Sequence, residues 1–343
     1  MTASRAPTLT ELFERQLTLR QRILVSMLVG IFGAWLIWSQ YSRAADFHTD
    51  FGMSWFGARS IAHGVDPYPL VGQGNVFDYR WPLTYPAPSL VALIPFGFLS
   101  ERVAATLFVG LSTFLLAFGV TGNGGYLLPL FIAEPYLNAA RLGQWNIALT
   151  ASLFIPWLAF LGAVKPQAIV PILAATRRRA AMVAFVAGTA ALLALSFMLI
   201  PGWVSEWLAN VRQMPETNPA VMRIGGILIL AVLIKWRRPE AWLVAVLACV
   251  PQTPAFYSTI PVFTVPRNFR ESCILVGTMM TGAFIAAMFI GRIHSLAQLN
   301  SMMGALQVAT IYMPAVIFIL RRPNQGPVPV WIDSLMKFRK QSA

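Results

Sequence analysis

Long apolar runs, separated by clusters of basic residues, restrict the fold of this chain more than any other feature of its sequence. A helix needs about 20 apolar residues to span the hydrocarbon core of a bilayer. Runs of that length are 22–41, 102–121, 179–201, 272–291 and 299–320, and 87–100 and 222–236 reach it with their flanks. The chain is 57% hydrophobic and 11% charged, whereas soluble domains carry about 25% charged residues. The sequence therefore predicts an all-α, polytopic transmembrane bundle.

Shorter apolar runs, rich in Pro and Gly, fill the middle of the chain. They are residues 126–140, 146–164, 166–176, 240–251 and 254–266. Broken helices are tolerated at membrane depth only where they line a cavity or pack inside protein. We therefore expect the middle of the chain to surround a site. Together the long and short runs predict roughly nine to eleven spans in one transmembrane domain, residues 22–322.

The basic residues set the predicted orientation. The net charge is +13, and its clusters follow the positive-inside pattern, which favours membrane lipid headgroups rather than nucleic acid as partners. The clusters are Arg15, Arg20 and Arg22; Arg177, Arg178 and Arg179; Lys235, Arg237 and Arg238; Arg267 and Arg270; Arg321 and Arg322; and Lys337, Arg339 and Lys340. We expect a multi-pass protein of a bacterial inner membrane, with the N-terminus and the basic tail, 323–343, in the cytoplasm.

The segment before the first span, residues 1–21, is predicted to lie on the cytoplasmic surface of the membrane. Thr8 and Glu11 have the spacing of a capping box. Four apolar side chains would share one face of the helix that follows: Leu9, Leu12, Phe13 and Leu17. The first apolar run is too long for the core of a signal peptide, so we expect it to be retained as a helix.

The first outer loop, residues 41–86, gathers most of the Asp and His side chains. It holds four of the five aspartates and two of the three histidines: Asp46, Asp50, Asp66, Asp78, His48 and His63. A connection of this length is unusual in a helical bundle and is often functional. The other loops do not collect Asp, so we expect this loop to contribute to a site.

Several short motifs follow one another in an order typical of one family. The first is Asp50, which precedes an aromatic- and Ala-rich segment. The others are Gly64-Val65-Asp66-Pro67-Tyr68, Tyr85-Pro86-Ala87-Pro88, Gly143-Gln144-Trp145-Asn146, Val164-Lys165-Pro166 and, more loosely, Pro254-Ala255-Phe256-Tyr257. Over about residues 22–270 the chain thus resembles the integral-membrane mannosyltransferases that use polyprenyl-phosphate sugars, within the GT-C class of glycosyltransferases.

The resemblance implies a GT-C-like fold and an inverting transfer of a hexose, with mannose favoured. The donor would be a polyprenyl-phosphate sugar, and the acceptor a lipid or a glycan at the outer face. Two rival functions stay open: a transporter or flippase of a lipid-linked sugar, and a catalytically silent assembly subunit. Transporters usually show repeat symmetry between their halves, and we find none in this sequence, which disfavours the first rival.

Asp50 is the candidate base. Transfer from a lipid phosphate needs a base that takes the proton of the acceptor hydroxyl, and inversion by direct displacement needs only one carboxylate on the acceptor side. The resemblance places the family's catalytic Asp at this position. As an alternative, Asp50 could cap a helix over residues 51–62. Asp46 is a rival base or acceptor ligand, and Asp66, before Pro67, is predicted to shape a turn.

Lys165 is the strongest candidate for binding the donor phosphate. An ionisable residue inside an apolar run is costly and is functional by default, and a cation would stabilise the charge of the leaving phosphate. Alternatively, Lys165 could snorkel to the interface or pair with Glu134. Other candidate cations are Arg80, Arg141 and the more distant Arg223.

The remaining candidates are neutral or aromatic. Gln144 and Asn146 could hydrogen-bond sugar hydroxyls or tie helices together. His63 could touch phosphate or be structural. Aromatic side chains could stack on a sugar or anchor the interface: Trp55, Phe56, Tyr68, Trp81 and Tyr85. Tyr257, from the last motif, is a further candidate for substrate contact.

No metal site or other cofactor is predicted. The sequence has no Asp-x-Asp motif, no paired His at metal-binding spacing and no carboxylate–histidine cluster. A divalent cation held weakly by Asp46 and Asp50 stays an alternative. Cys249 and Cys273 lie in apolar segments, where we expect small core residues rather than a disulfide.

Overall fold

The computed structural model describes residues 8–42, 49–215, 217–253, 255–291 and 296–327, and most of these residues are helical. Five of their helices are long and apolar enough to cross a membrane, by length and composition. They are residues 19–41, 101–123, 179–199, 269–289 and 298–320. The prediction of an all-α bundle is confirmed, and these helices indicate an integral membrane protein.

The elements of the first third follow in chain order. The helices are α1 (Leu9–Glu14), α2 (Leu19–Tyr41), α3 (Asp50–Ala62), α4 (Ala87–Ala92), α5 (Ile94–Gly97) and α6 (Glu101–Val120). Between α3 and α4 lie a 3₁₀ turn (Tyr68–Leu70) and two short strands, β1 (Val71–Gly72) and β2 (Phe77–Asp78). The strands pair in parallel, with Val71 opposite Phe77.

Short helices dominate the rest of the chain. They are the 3₁₀ turns Thr121–Asn123 and Leu128–Ile132, α7 (Glu134–Leu142), α8 (Asn146–Ala151), a 3₁₀ segment Pro156–Val164, α9 (Pro166–Ala175), α10 (Arg179–Leu199), α11 (Trp203–Val211), 3₁₀ segments Ala220–Met222 and Gly226–Lys235, α12 (Pro239–Cys249), a 3₁₀ segment Phe256–Thr264 and α13 (Phe269–Ile290). The last span is continuous through α14 (Leu296–Gln307), a π-helical turn (Val308–Tyr312) and α15 (Met313–Leu320).

The N-terminal segment differs in part from the prediction. The capping box of Thr8 and Glu11 is present, so α1 begins where expected. However, α1 ends at Glu14, and a second capping box, formed by Thr18 and Gln21, starts α2. Leu17 therefore lies between two helices and does not extend the apolar face of α1.

One end of the bundle, which we call the N-terminal end, is defined by α1 and the start of α2. The backbone N–H of Gly125 donates to Phe13 O at 2.7 Å, and the backbone N–H of Phe269 donates to the Glu14 carboxylate at 3.2 Å. The Arg22 guanidinium donates to Phe118 O at 2.8 Å. The turns after α6 and before α13 thus meet α1 at this end.

Several basic clusters converge on one buried carboxylate at the N-terminal end. Glu240, 4% exposed, pairs with Arg238 at 3.0 Å and with Arg267 and Arg322 at 3.2 Å each. Arg322 also pairs with Glu271 at 2.5 Å. The clusters that the sequence assigns to one side of the membrane therefore do lie at one end of the bundle. The basic residues beyond 327 lie outside the described residues.

The opposite end, which we call the loop end, carries α3. The start of α6 also lies at this end. Its first residue, Glu101, accepts a hydrogen bond at 2.8 Å from the hydroxyl of Tyr41, the last residue of α2. The Trp55 indole donates to Leu99 O at 3.1 Å, so the segment before α6 stays beside α3. The prediction that 87–100 spans the membrane is therefore wrong. Pro95 has no N–H to donate, and the run divides into α4 and α5.

The 222–236 run is also no full-length helix, since its longest helical segment is Gly226–Lys235, which is in 3₁₀ form. A 3₁₀ helix rises roughly 2.0 Å per residue, against 1.5 Å in an α-helix. Ten residues then cover about 20 Å rather than about 15 Å. In the described residues five helices are long enough to span and several apolar helices are shorter, so the expected roughly nine to eleven spans, which included short and broken helices, stay a prediction. Both cysteines are free and exposed, so their assignment to the core is wrong.

Candidate active site

The short elements enclose a cavity at the loop end. Its volume is about 480 Å³, within the range of roughly 300–1,000 Å³ that is usual for small-molecule sites. Predicted site residues that line it are Asp50, Trp81, Tyr85, Asn146, Lys165 and Tyr257. They come from five separate elements or connections, which only the tertiary fold brings together.

Asp50 is the first residue of α3 and not its cap. The cap is Thr49, whose hydroxyl accepts from the Gly52 backbone N–H at 3.3 Å. The alternative that Asp50 caps this helix is therefore wrong. Its carboxylate instead accepts two side-chain hydrogen bonds, from Tyr79 OH to Oδ1 at 2.7 Å and from Gln144 Nε2 to Oδ2 at 2.5 Å.

The surroundings of Asp50 act on its ionisation in opposite directions. Burial raises the pKa of its carboxyl above the ordinary value, and this is the largest influence. The Tyr79 hydrogen bond, the Lys165 charge and the Gln144 hydrogen bond each lower the pKa. The net result is a raised pKa, which makes Asp50 a stronger base than a surface carboxylate.

Lys165 lies at a break between two helices. Its backbone is extended, with φ −148° and ψ 81°, between the 3₁₀ segment that ends at Val164 and the start of α9 at Pro166. The ammonium donates to Gln144 Oε1 at 2.7 Å and to Asn146 Oδ1 at 2.8 Å.

Two aromatic rings flank the Lys165 ammonium. The carboxylate that acts on its charge is not Glu134, the partner considered from the sequence. Nζ lies 5.9 Å from the ring centroid of Tyr85 and 5.2 Å from that of Tyr257, within cation–π range. The carboxylate that acts on it is Asp50. Glu134 interacts with Arg141 of its own helix, so the proposed pairing of Lys165 with Glu134 is wrong.

A tight turn explains the spacing of the Gly-Gln-x-Asn motif. Gly143 ends α7 with φ +69°, in the left-handed region that favours glycine. A Cβ atom there would lie 2.5 Å from Phe51 Cβ. The turn brings Gln144 and Asn146, 1% and 2% exposed, against Asp50 and Lys165.

Other predicted phosphate ligands lie away from the cavity wall. The exposed Arg80 stacks its guanidinium over the Trp81 ring at 4.9 Å. The His63 ring is hydrogen-bonded through Nδ1 to Arg59 O at 2.7 Å, at the end of α3. Arg141 does not line the cavity.

Two further candidates remain, Arg223 and Asp46. Arg223 donates to the backbone carbonyls of Asn218 and Gln252 and to the Gln307 side chain, and it does not line the cavity. Asp46 lies outside the described residues. Within those residues, no three His, Cys, Asp or Glu side chains are grouped as a metal site requires.

The remaining loop aspartates shape the backbone. Asp66 accepts from the Tyr68 backbone N–H at 3.0 Å, which confirms its predicted role in a turn. Asp78 accepts from the Gly74 backbone N–H at 3.0 Å.

Tyr79 is a site residue that the sequence reasoning missed. It follows β2, in which Phe77 is buried and Asp78 is exposed. Side chains alternate between the two faces of a strand, so this alternation indicates that Tyr79 turns back to the buried side.

Residues 202–222, which include α11 and which we call the second outer loop, contribute a wall of the cavity that the sequence reasoning also missed. Trp207 of α11 lines the cavity, and its indole donates to Thr84 O at 2.9 Å. Asn210 donates to Leu83 O at 3.1 Å. Nearby, burial and then the hydrogen bond and charge of Asp66 raise the pKa of the Glu206 carboxyl to about 7.

Comparison with protein-family models, with curated proteins and with solved structures found no match to this chain. The chemistry of the cavity is therefore the basis for assigning a function.

Proposed function

We propose that this protein is an inverting glycosyltransferase that moves a hexose from a polyprenyl phosphate to a lipid or glycan acceptor. One observation carries the proposal: a carboxylate and an ammonium, Asp50 and Lys165, line the same cavity and are hydrogen-bonded to one glutamine, Gln144. The motifs that resemble polyprenyl-phosphate mannosyltransferases supply these three residues and favour mannose as the sugar.

Asp50 is proposed as the general base. Its carboxylate takes the proton of the acceptor hydroxyl while that oxygen forms a bond to the anomeric carbon. The bond between this carbon and the phosphate oxygen breaks, and the phosphate leaves with the electron pair. A single displacement of this kind inverts the anomeric configuration. The hydrogen bond from Tyr79 keeps the base oriented towards the cavity.

Lys165 is proposed to stabilise the leaving phosphate. Negative charge grows on the phosphate as the glycosidic bond breaks, and a fixed cation stabilises this charge without further reorganisation. Of its three N–H donors, two are engaged by Gln144 and Asn146, which leaves one for the phosphate. Asn146, Tyr85 and Tyr257 are proposed to contact the sugar.

The position of the cavity supports a lipid-linked donor. The cavity lies at the loop end, and the basic clusters around Glu240 lie at the N-terminal end. If the basic end is cytoplasmic, as the positive-inside rule predicts, the cavity faces the outer side of a bacterial inner membrane. A polyprenyl phosphate in that leaflet would present its sugar near this depth.

The test uses purified protein with labelled polyprenyl-phosphate hexoses and membrane-lipid acceptors. We expect transfer by the wild type and a loss of about 100-fold or more in kcat for Asp50→Asn, because general base catalysis contributes at least this factor. Asp78→Asn, the same change in an exposed loop residue, should keep wild-type activity. Full turnover by Asp50→Asn would exclude Asp50 as the base. Absence of transfer by the wild type with every donor would count against the enzyme and favour a transporter or an assembly subunit.

A further inference from the structure

Gln144 lies between the two charged groups of the site without forming part of the cavity wall. It is 1% exposed and absent from the side chains that line the cavity. Asp50 and Lys165, by contrast, both reach the cavity. A glutamine in this position has little surface to offer a sugar.

The orientation of the Gln144 amide follows from its partners. A lysine ammonium has donors only, so the amide oxygen must face Lys165. The amide nitrogen then faces Asp50, whose ionised carboxylate has acceptors only. The distances agree, at 2.7 Å for the ammonium and 2.5 Å for the carboxylate. Tyr85 OH also donates to the amide oxygen, at 3.4 Å.

Asp50 and Lys165 do not form a direct ion pair. Each influences the ionisation of the other, but no ion pair within 4 Å joins these two described residues, whose side chains are instead hydrogen-bonded to Gln144. A direct pair would place the two charges in contact and leave no room for a substrate between them. The interposed amide takes one lone pair of the carboxylate and one N–H of the ammonium, keeps the two charges apart, and leaves each group with capacity for a ligand.

We propose that Gln144 is a positioning residue that separates the base from the phosphate-binding cation and holds both in their charged forms. The inference rests on the proposed glycosyl transfer. It differs from a role in sugar recognition, because Gln144 then acts on the reaction only through Asp50 and Lys165.

The test compares two substitutions in the purified full-length protein. Gln144→Met keeps the length of the side chain but removes both hydrogen bonds. We expect kcat to fall about 100-fold, as for a small misplacement of catalytic groups, while KM for the donor changes less than about threefold. Gln144→Glu keeps the acceptor for Lys165 but puts a second negative charge beside Asp50. That charge should move the acid limb of the pH–rate profile upward by about one unit.

The controls separate positioning from binding and from misfolding. Gln213→Met, the same change at an exposed residue of the second outer loop, should keep wild-type kinetics. Gln144→Glu stays polar and similar in size. Its pH–rate profile therefore tests the inference even if thermal unfolding shows that Gln144→Met is unstable. In the double variant with Lys165→Met, the losses should be far from additive, because both changes act on one unit.

A rise of tenfold or more in the donor KM with kcat retained would overturn the inference in favour of sugar contact. So would wild-type kcat in Gln144→Met together with an unmoved pH profile in Gln144→Glu. If the wild type transfers sugar and requires Asp50 while Gln144→Met is normal, only this inference fails. If transfer does not depend on Asp50, the proposed base fails, and the role of Gln144 fails with it.

Discussion

Asp50 illustrates how a single residue is tuned by contacts from distant parts of the chain. Burial disfavours its charged form, whereas Tyr79 and Gln144 donate hydrogen bonds that favour it. A base needs both influences, since the carboxylate must be ionised at working pH and still bind a proton in the transition state.

This balance predicts a pH dependence. Asp50 must be ionised to act, so kcat/KM should rise with pH through its pKa. Because that pKa is raised, the acid limb should lie above the ordinary aspartate value of about 3.9. Tyr79→Phe removes a hydrogen bond to the charged form, which raises the pKa further. We expect the acid limb of the pH–rate profile to move up by about one unit.

A matched control is Tyr126→Phe, at the N-terminal end near Arg267, which should leave the profile in place. A downward shift or an unchanged limb in Tyr79→Phe would contradict the assignment of Asp50 as the titrating base.

At the scale of elements, breaks in helices place the site residues. Lys165 lies between a 3₁₀ segment and α9, and Gln144 and Asn146 follow the left-handed end of α7. A continuous helix would have pointed these side chains around its circumference. The breaks instead bring Lys165 and Asn146 to the cavity wall and place Gln144 behind it, as expected for irregular backbone that lines a cavity.

The turn at Gly143 gives a prediction at this scale. Gly143→Ala adds a Cβ atom 2.5 Å from Phe51 Cβ at a φ of +69°. We expect a destabilisation of about 3 kcal/mol from strain and overpacking, seen as a lower Tm in detergent, together with reduced transfer.

The control for Gly143 is Gly277→Ala in α13, where an added Cβ would meet nothing within 4 Å. This change should be neutral or slightly stabilising, since Ala favours a helix over Gly. Equal Tm values for the two variants would show that the Gly143 turn is not constrained by Phe51.

The whole molecule has two chemically distinct ends. The N-terminal end gathers cations around Glu240 and Glu271, and residues 321–327 return there, where Arg238 donates to Pro323 O at 2.7 Å. The loop end holds the cavity, covered by contacts between the first and second outer loops. The N-terminal end is thus suited to an anionic membrane surface, and the cavity at the loop end is the proposed site of sugar transfer.

Orientation in the membrane is testable by labelling. In a protein whose exposed Cys249 and Cys273 are replaced by serine, Asn75→Cys should react with an impermeant maleimide in intact cells. Arg178→Cys should react only after the membrane is permeabilised. Both side chains are exposed, so the reverse pattern would mean that the cavity faces the cytoplasm and would exclude an outer-leaflet donor.

The local pattern of the sequence by itself determined the fold class of this protein, an all-α membrane protein, and many of its candidate site residues. Apolar length and helix capping depend on neighbours in sequence, which is why the five long helices and the first capping box were predictable. The motifs also singled out Asp50 and Lys165, because a charge in an apolar chain stands out by composition alone.

Only the tertiary structure decided how these residues meet. Tyr79, Trp207 and the interposed position of Gln144 depend on contacts across tens of residues, and no local periodicity encodes such contacts. The same holds for 87–100, whose hydropathy suits a span but whose proline break and packing on α3 keep it at the loop end. Hydropathy measures whether a segment tolerates lipid, whereas packing between segments decides where it lies.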